Sequence, residues 1–301
     1  MTIFSRYSPF FLFVSTIIVA GCSSSTTPNN SAASPGGTLY FHESLIGIET
    51  MNLSSGTVTS LAAGEMPNVR SDKWILAVVD NDLAFLSPDG SQKQIIAART
   101  GLYGTYNANF HDPQLSRDGR YIAYDQPNFS GLVYIINAST GALVVTIGDV
   151  PTNYYYNHPS WGKDGSLYIQ AVPFNAVQSG GGIFKIDNTF QSINRLDKNL
   201  NTPKQPTISP DGTTIAFILN SHLWTMGIDG MNAKQITTSD QTEIYPAWSP
   251  DSKWVAVNNG GCDIFLVPIG GGSAIDLNAK FPYVLGGAYH CPSSDEQMDW
   301  K

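Results

Sequence analysis

From residue 37 onward, apolar and polar residues alternate over short stretches that Gly, Asp, Asn and Pro interrupt. A period of two marks half-buried β-strands, and the three- and four-residue spacing of an amphipathic helix does not recur. Five stretches align without gaps: MPNVRSDKWILAV from Met66, DPQLSRDGRYIAY from Asp112, HPSWGKDGSLYIQ from His158, QPTISPDGTTIAF from Gln205 and YPAWSPDSKWVAV from Tyr245. Their prolines, Pro67, Pro113, Pro159, Pro206 and Pro246, recur at intervals of 46, 46, 47 and 40 residues. A degenerate sixth copy, Met298-Asp299-Trp300-Lys301, follows 52 residues later with Met in place of Pro.

Each unit reads as four strands, A to D. In the fifth, A is expected at 246–249, B at 253–257, C at 262–268 and D around 274–277, with turn-forming residues between them. Four strands in a repeat of this length predict a propeller blade. The sixth copy holds only an A strand, and residues 38–41, 46–52 and 57–61 match B, C and D. The expected fold is therefore all-β, a six-bladed β-propeller with four-stranded blades, its last blade closed by N- and C-terminal strands. Such closure removes open sheet edges. Ten residues after each proline stand Ala77, Ala123, Ile169, Ala216 and Ala256, mostly small residues suited to crowded inner strands. Asp-Gly pairs at 118–119, 164–165 and 211–212 supply the positive φ of tight hairpins, so their carboxylates are read as turn formers.

The P-x-W-S-P-D-G-x-x-I-A-F pattern, matched most fully at 246–257, resembles the repeat of the TolB-type β-propeller superfamily. Residues 223–230 and 234–237 resemble that superfamily's C strand, turn and D strand, and the resemblance spans 37–301. It implies a bacterial envelope protein whose propeller binds other envelope proteins. Repeats of this type also occur in peptidases and lyases, so it does not by itself define a function.

Residues 1–21 place one cation, Arg6, before an apolar stretch at 10–20. That stretch is shorter than a bilayer-spanning helix and reads as a secretion signal. Val19-Ala20-Gly21-Cys22 resembles a bacterial lipobox, which implies cleavage before Cys22 and acylation of that cysteine. Residues 22–36, rich in Ser, Thr, Asn and Pro, read as a tether between the lipid and the propeller at 37–301. Ser23 beside the lipidated position favours the outer membrane.

Sixteen Lys and Arg against 24 Asp and Glu leave a charge of −8, and only 13% of residues are charged. This excludes a nucleic-acid binder, while 42% apolar residues exclude a disordered chain. With Cys22 lipidated, Cys262 and Cys291 form an even pair on one face of adjacent blades, and a disulfide is expected. The same face carries aromatic-rich loops: Tyr103, Tyr106 and Phe110; Tyr154, Tyr155 and Tyr156; Phe281, Tyr283 and Tyr289. They read either as a binding surface for a protein or a glycan, or as rings packed over the blade tops.

His111, His158 and His290 precede A strands near the channel mouth, where some polyuronate lyases of this fold hold a metal. His111 lies two residues before its proline and His158 one, so strand alternation is expected to point them apart. They are read as loop histidines, with no metal and no cofactor. No G-x-S-x-G elbow, P-loop or dinucleotide fingerprint occurs. The expectation is a non-enzymatic, membrane-anchored propeller that binds an envelope protein. A glycan receptor and a metal-dependent polysaccharide lyase are the alternatives.

Overall fold

The alternating segments pair as antiparallel four-stranded sheets in a computed structural model that describes residues 34–98, 110–126, 131–148, 154–174, 181–198, 200–259, 261, 263–281 and 297–301. There are six such sheets. Their innermost A strands are Glu65–Val69, His111–Leu115, Tyr154–Trp161, Lys204–Ile208, Ile244–Trp248 and Asp299–Trp300, here taken as blades one to six. Each A strand contacts the next, and the sixth contacts the first, so the blades form a closed ring.

Blade six unites the two ends of this unit. Leu39 pairs with Trp300 and Tyr40 with Asp299, and Thr38–Glu43, Gly47–Asn52 and Val58–Ala62 follow outward. Trp300 is fully buried against Leu39, Phe41 and Leu266, and its indole N–H donates to the Gly36 carbonyl at 3.1 Å. Gly37 allows that approach: its φ is +105°, and a Cβ there would sit 2.6 Å from the Lys301 carbonyl oxygen.

The cores lie between blades. Ala216, Ile218 and Leu223 of blade four pack on Trp248, Val255, Val257 and Val267 of blade five. Ala77, Ala123, Ile169, Ala216 and Ala256 are all fully buried, as the inner-strand reading requires. In the A–B turns, Asp118, Asp211 and Asp251 accept from the hydroxyls of Ser116, Ser209 and Ser249 and from backbone N–H groups. These carboxylates therefore build hairpins, and burial of Asp118 and Asp211 is outweighed by those donors, which hold both below the usual carboxylate range.

The inner edge of each A strand faces the channel without a neighbouring strand, and side chains from the preceding blade cover it. Leu115 N donates to Asn68 Oδ1 at 3.0 Å, Ile208 N to Ser160 Oγ at 3.1 Å, and Val69 N to Asp299 Oδ2 at 2.6 Å. In the reverse direction, the indoles of Trp161 and Trp248 donate to the carbonyls of Gln114 and Thr207 at 2.9 and 3.0 Å. One element differs from expectation. The fifth D strand is only Ile275–Asp276, and a helical turn, Leu277–Lys280, follows because Asp276 caps it by accepting from Asn278 N and Ala279 N. Among the described residues no helix is long and apolar enough to cross a membrane.

Trp300→Ala empties a buried aromatic site at the closure and is expected to lower stability by about 3–5 kcal/mol in urea denaturation. A loss below about 1 kcal/mol would mean that blade six does not depend on that strand.

Candidate functional site

A local irregularity of the A strands shapes the channel mouth. In blades one to five the register slips between Glu65 and Asn68, His111 and Gln114, Asn157 and Ser160, Lys204 and Thr207, and Ile244 and Ala247. Inside each slip the residue before the repeat proline takes a positive φ: Met66 54°, Asp112 44°, His158 48°, Gln205 52° and Tyr245 49°. Such bulges re-aim one side chain, and positive φ is strained for residues other than glycine. Because all five copies share it, the strain belongs to the repeat. Asp112, His158, Gln205 and Tyr245, with Gln297 from blade six, line a channel cavity of about 610 Å³.

The bulge overturns the expectation that alternation separates the histidines. His111 and His158 have ring centroids 6.1 Å apart, with Asp112 and Asp125 between their blades. His111 Nδ1 stands 2.9 Å from Asp125 Oδ1 and 3.4 Å from Asp112 Oδ2. His158 Nδ1 lies against Asp112 Oδ2, and its backbone N–H donates to Asp125 Oδ2 at 2.7 Å. The His158 ring meets Tyr245 edge-on at 5.8 Å. Both carboxylates are buried, with side-chain exposures of 3% for Asp112 and 0% for Asp125.

Burial pushes the Asp125 carboxyl up, and the neighbouring Asp112 adds to this against the pull of His111 and His158. Burial also opposes ionisation of Asp112, but His158 and His111 together outweigh it and hold that carboxyl below its usual range. Two buried acids thus share one cluster with two partly exposed imidazoles.

At the A–B turn end of the channel a cation bridges blades. Arg117 occupies the turn position held by Pro210 and Pro250 in blades four and five. Its guanidinium reaches across to blades three and four, donating to the carbonyls of Ile208 and Ser209 at 3.0 Å each and of Trp161 at 3.4 Å. Burial lowers its pKa, and the charges of Asp299 and Asp211 oppose that shift.

The aromatic candidates divide by exposure. Phe110 and Tyr156 are buried, Phe110 edge-on to Tyr124 at 4.9 Å, and Tyr154 packs on Phe184. Phe281 packs against the blade-five and blade-six core. Tyr155 stands out at 41% exposed, edge-on at 4.1 Å to Phe174, itself 47% exposed, with Val172 beside them. Phe174 and Val172 lie at the end of a B strand, outside the loops singled out from the sequence. Cys22, Tyr103, Tyr106, Cys262, Tyr283, Tyr289, His290 and Cys291 fall outside the described residues. Asp112 and Asp125 were missed as site residues: Asp112 reads as the start of a repeat, and Asp125 as the end of a B strand.

No protein-family model matches the chain, and no curated protein matches it. Solved structures do. TolB from Acinetobacter baumannii aligns at 14% identity and a TM-score of 0.65, over 88% of this chain and 66% of that one. The nidogen/laminin complex aligns at 12% and 0.60, over 88% and 97%. An oligogalacturonate lyase from Vibrio parahaemolyticus aligns at 11% and 0.52, over 76% and 70%. The chain thus has the fold of the TolB-like six-bladed β-propellers, and this chain spans just under two thirds of the Acinetobacter TolB. Proteins with different activities share that architecture, so function is argued from the site.

Arg117→Ala removes the guanidinium from the carbonyls of Trp161, Ile208 and Ser209, the last of which keeps the Gly212 N–H at 2.9 Å. It is expected to lower stability by about 1–3 kcal/mol in chemical denaturation. An unchanged midpoint would mean that solvent replaces those bonds without loss.

Proposed function

We propose that this chain is a lipid-anchored scaffold of the bacterial envelope whose channel mouth docks another protein. The observation that carries the reading is the exposed Tyr155–Phe174 pair with Val172 at the mouth end of blade three. Aromatic side chains give large contact area at small entropic cost and are enriched in protein interfaces. Most other described rings of this face are packed into the blades, so this pair is where exposed aromatic surface collects. The TolB-like fold and the nidogen propeller seen with laminin support a binding role. The lipobox-like Val19–Cys22 sequence supports anchoring through Cys22, and the Ser/Thr/Asn-rich stretch at 22–36 supports a tether. The disulfide between Cys262 and Cys291 belongs to the same proposal, as a clasp on the mouth face.

A metal-dependent polysaccharide lyase is the second reading, favoured by the His–Asp cluster and by the fold shared with oligogalacturonate lyase. Release of unsaturated uronates from polygalacturonate would establish it over scaffolding.

The test is a photo-crosslinking residue at position 155 in intact cells, with Cys22→Ser as a companion. A protein adduct is expected, and Cys22→Ser is expected to abolish labelled-palmitate incorporation and membrane association. Tyr155→Ala should weaken partner binding about tenfold, as loss of an interface anchor does, while changing folding stability by less than about 0.5 kcal/mol. No protein adduct, with retention on a glycan array, would replace protein docking by glycan binding. A large stability loss in Tyr155→Ala would make the pair structural.

A further inference from the structure

We propose that His111, Asp112 and Asp125 form a binding site for one divalent first-row transition-metal ion, with His158 positioning both carboxylates. One ligand atom from each of His111, Asp112 and Asp125 lies within 4.8 Å of the other two. His111 Nδ1 is 2.9 Å from Asp125 Oδ1 and 3.4 Å from Asp112 Oδ2. Ligands about 2.0–2.2 Å from a tetrahedral ion stand roughly 3.4 Å from one another, so this spacing suits a single small cation with little movement.

Two further observations point the same way. Neither oxygen of Asp112 accepts a well-aligned hydrogen bond although the side chain is only 3% exposed. The imidazoles of His111 and His158 face Asp112 and Asp125 within ion-pair distance. A bound divalent ion can take the place of the imidazoles in compensating these two buried carboxylates, and an imidazole ligates a metal in its neutral form.

The donor set defines the class of ion. One imidazole and two carboxylates in a small space suit Zn²⁺ or Mn²⁺, whereas Ca²⁺ takes six to eight oxygens at longer range. His158 has a different role. Its Nδ1 rests against Asp112 Oδ2 and its backbone N–H holds Asp125 Oδ2, so it orients two ligands from the next blade. Asp112 and His158 also line the cavity, which leaves the remaining coordination position toward the channel. The inference stands apart from protein docking, since Tyr155 and Phe174 are not among the ligands.

The experiment uses untagged full-length protein, stripped with chelator and titrated with Zn²⁺ by calorimetry, with elemental analysis after dialysis. One equivalent is expected, with a raised thermal midpoint when Zn²⁺ is present. His111→Ala should weaken binding at least about tenfold, and His158→Gln should weaken it less while retaining one equivalent. The Cys262→Ser, Cys291→Ser double variant should keep that equivalent, since no thiol is a ligand. Co²⁺ added to the unaltered chain gives a readout independent of any variant's folding: visible bands of low-symmetry nitrogen and oxygen ligation, without thiolate charge transfer. No Zn²⁺ retained, Zn²⁺ retained undiminished by a folded His111→Ala, or a cobalt spectrum dominated by thiolate would each overturn the site.

Discussion

The innermost strand of a blade has one partner and one bare edge, and the fold depends on how that edge is satisfied. Its N–H and C=O groups face a narrow channel where an unpaired one costs about 1–3 kcal/mol. This chain meets the problem inside the repeat. The residue after the proline sends a polar side chain to an N–H of the next blade, as Asn68 does for Leu115 and Ser160 for Ile208. The residue after that, when it is tryptophan, returns an indole N–H to the blade before, as Trp161 and Trp248 do. Asp299, joined to blade one through Val69 N, carries the same device across the closure. The ring is therefore held at its axis by polar exchange and at its periphery by apolar contact between blades.

That axial ring also makes the site. The bulged residue before each proline has its backbone N–H satisfied in turn: Gln170 serves Gln205, Gln205 serves Tyr245, and Asp125 serves His158. Neutral amides perform this task without electrostatic consequence. At blades two and three the same scaffold positions hold Asp112, Asp125 and His158, so a structural hydrogen-bond relay becomes a cluster of titratable groups. The backbone strain is common to the repeat, but its charge is local.

The repeat, the number of blades and the shared sixth blade were legible because turn residues and strand alternation recur with the fold's own period. The closure was legible from a single strand, since Asp299-Trp300 can pair only where an A strand is missing. The site was not legible by the same rule. Alternation assumes an unbroken strand, and the bulge between His111 and Gln114 adds a residue that brings His111 and His158 toward one pocket. The positive φ before five successive prolines has no signature in residue type, because Met66, Asp112, His158, Gln205 and Tyr245 share no chemistry. Exposure was equally hidden: Tyr154, Tyr155 and Tyr156 are adjacent in sequence, yet Tyr156 is buried and Tyr155 is not.

The two ends of the channel differ in chemistry. Arg117 lies at the far end, and its donors are spent on the carbonyls of Trp161, Ile208 and Ser209, so that end is braced. Among the described residues the mouth carries Asp112 and Asp125 and no comparable bridging cation. Tyr155 stands three residues before His158 on the strand Tyr154–Trp161, about 10 Å away at the usual rise of a strand. A molecule resting on the aromatic pair is thus within side-chain reach of the acidic cluster. Tyr155 and His158 share one strand of blade three, against the carboxylates of blade two, and the bulge in that strand sets their relative orientation.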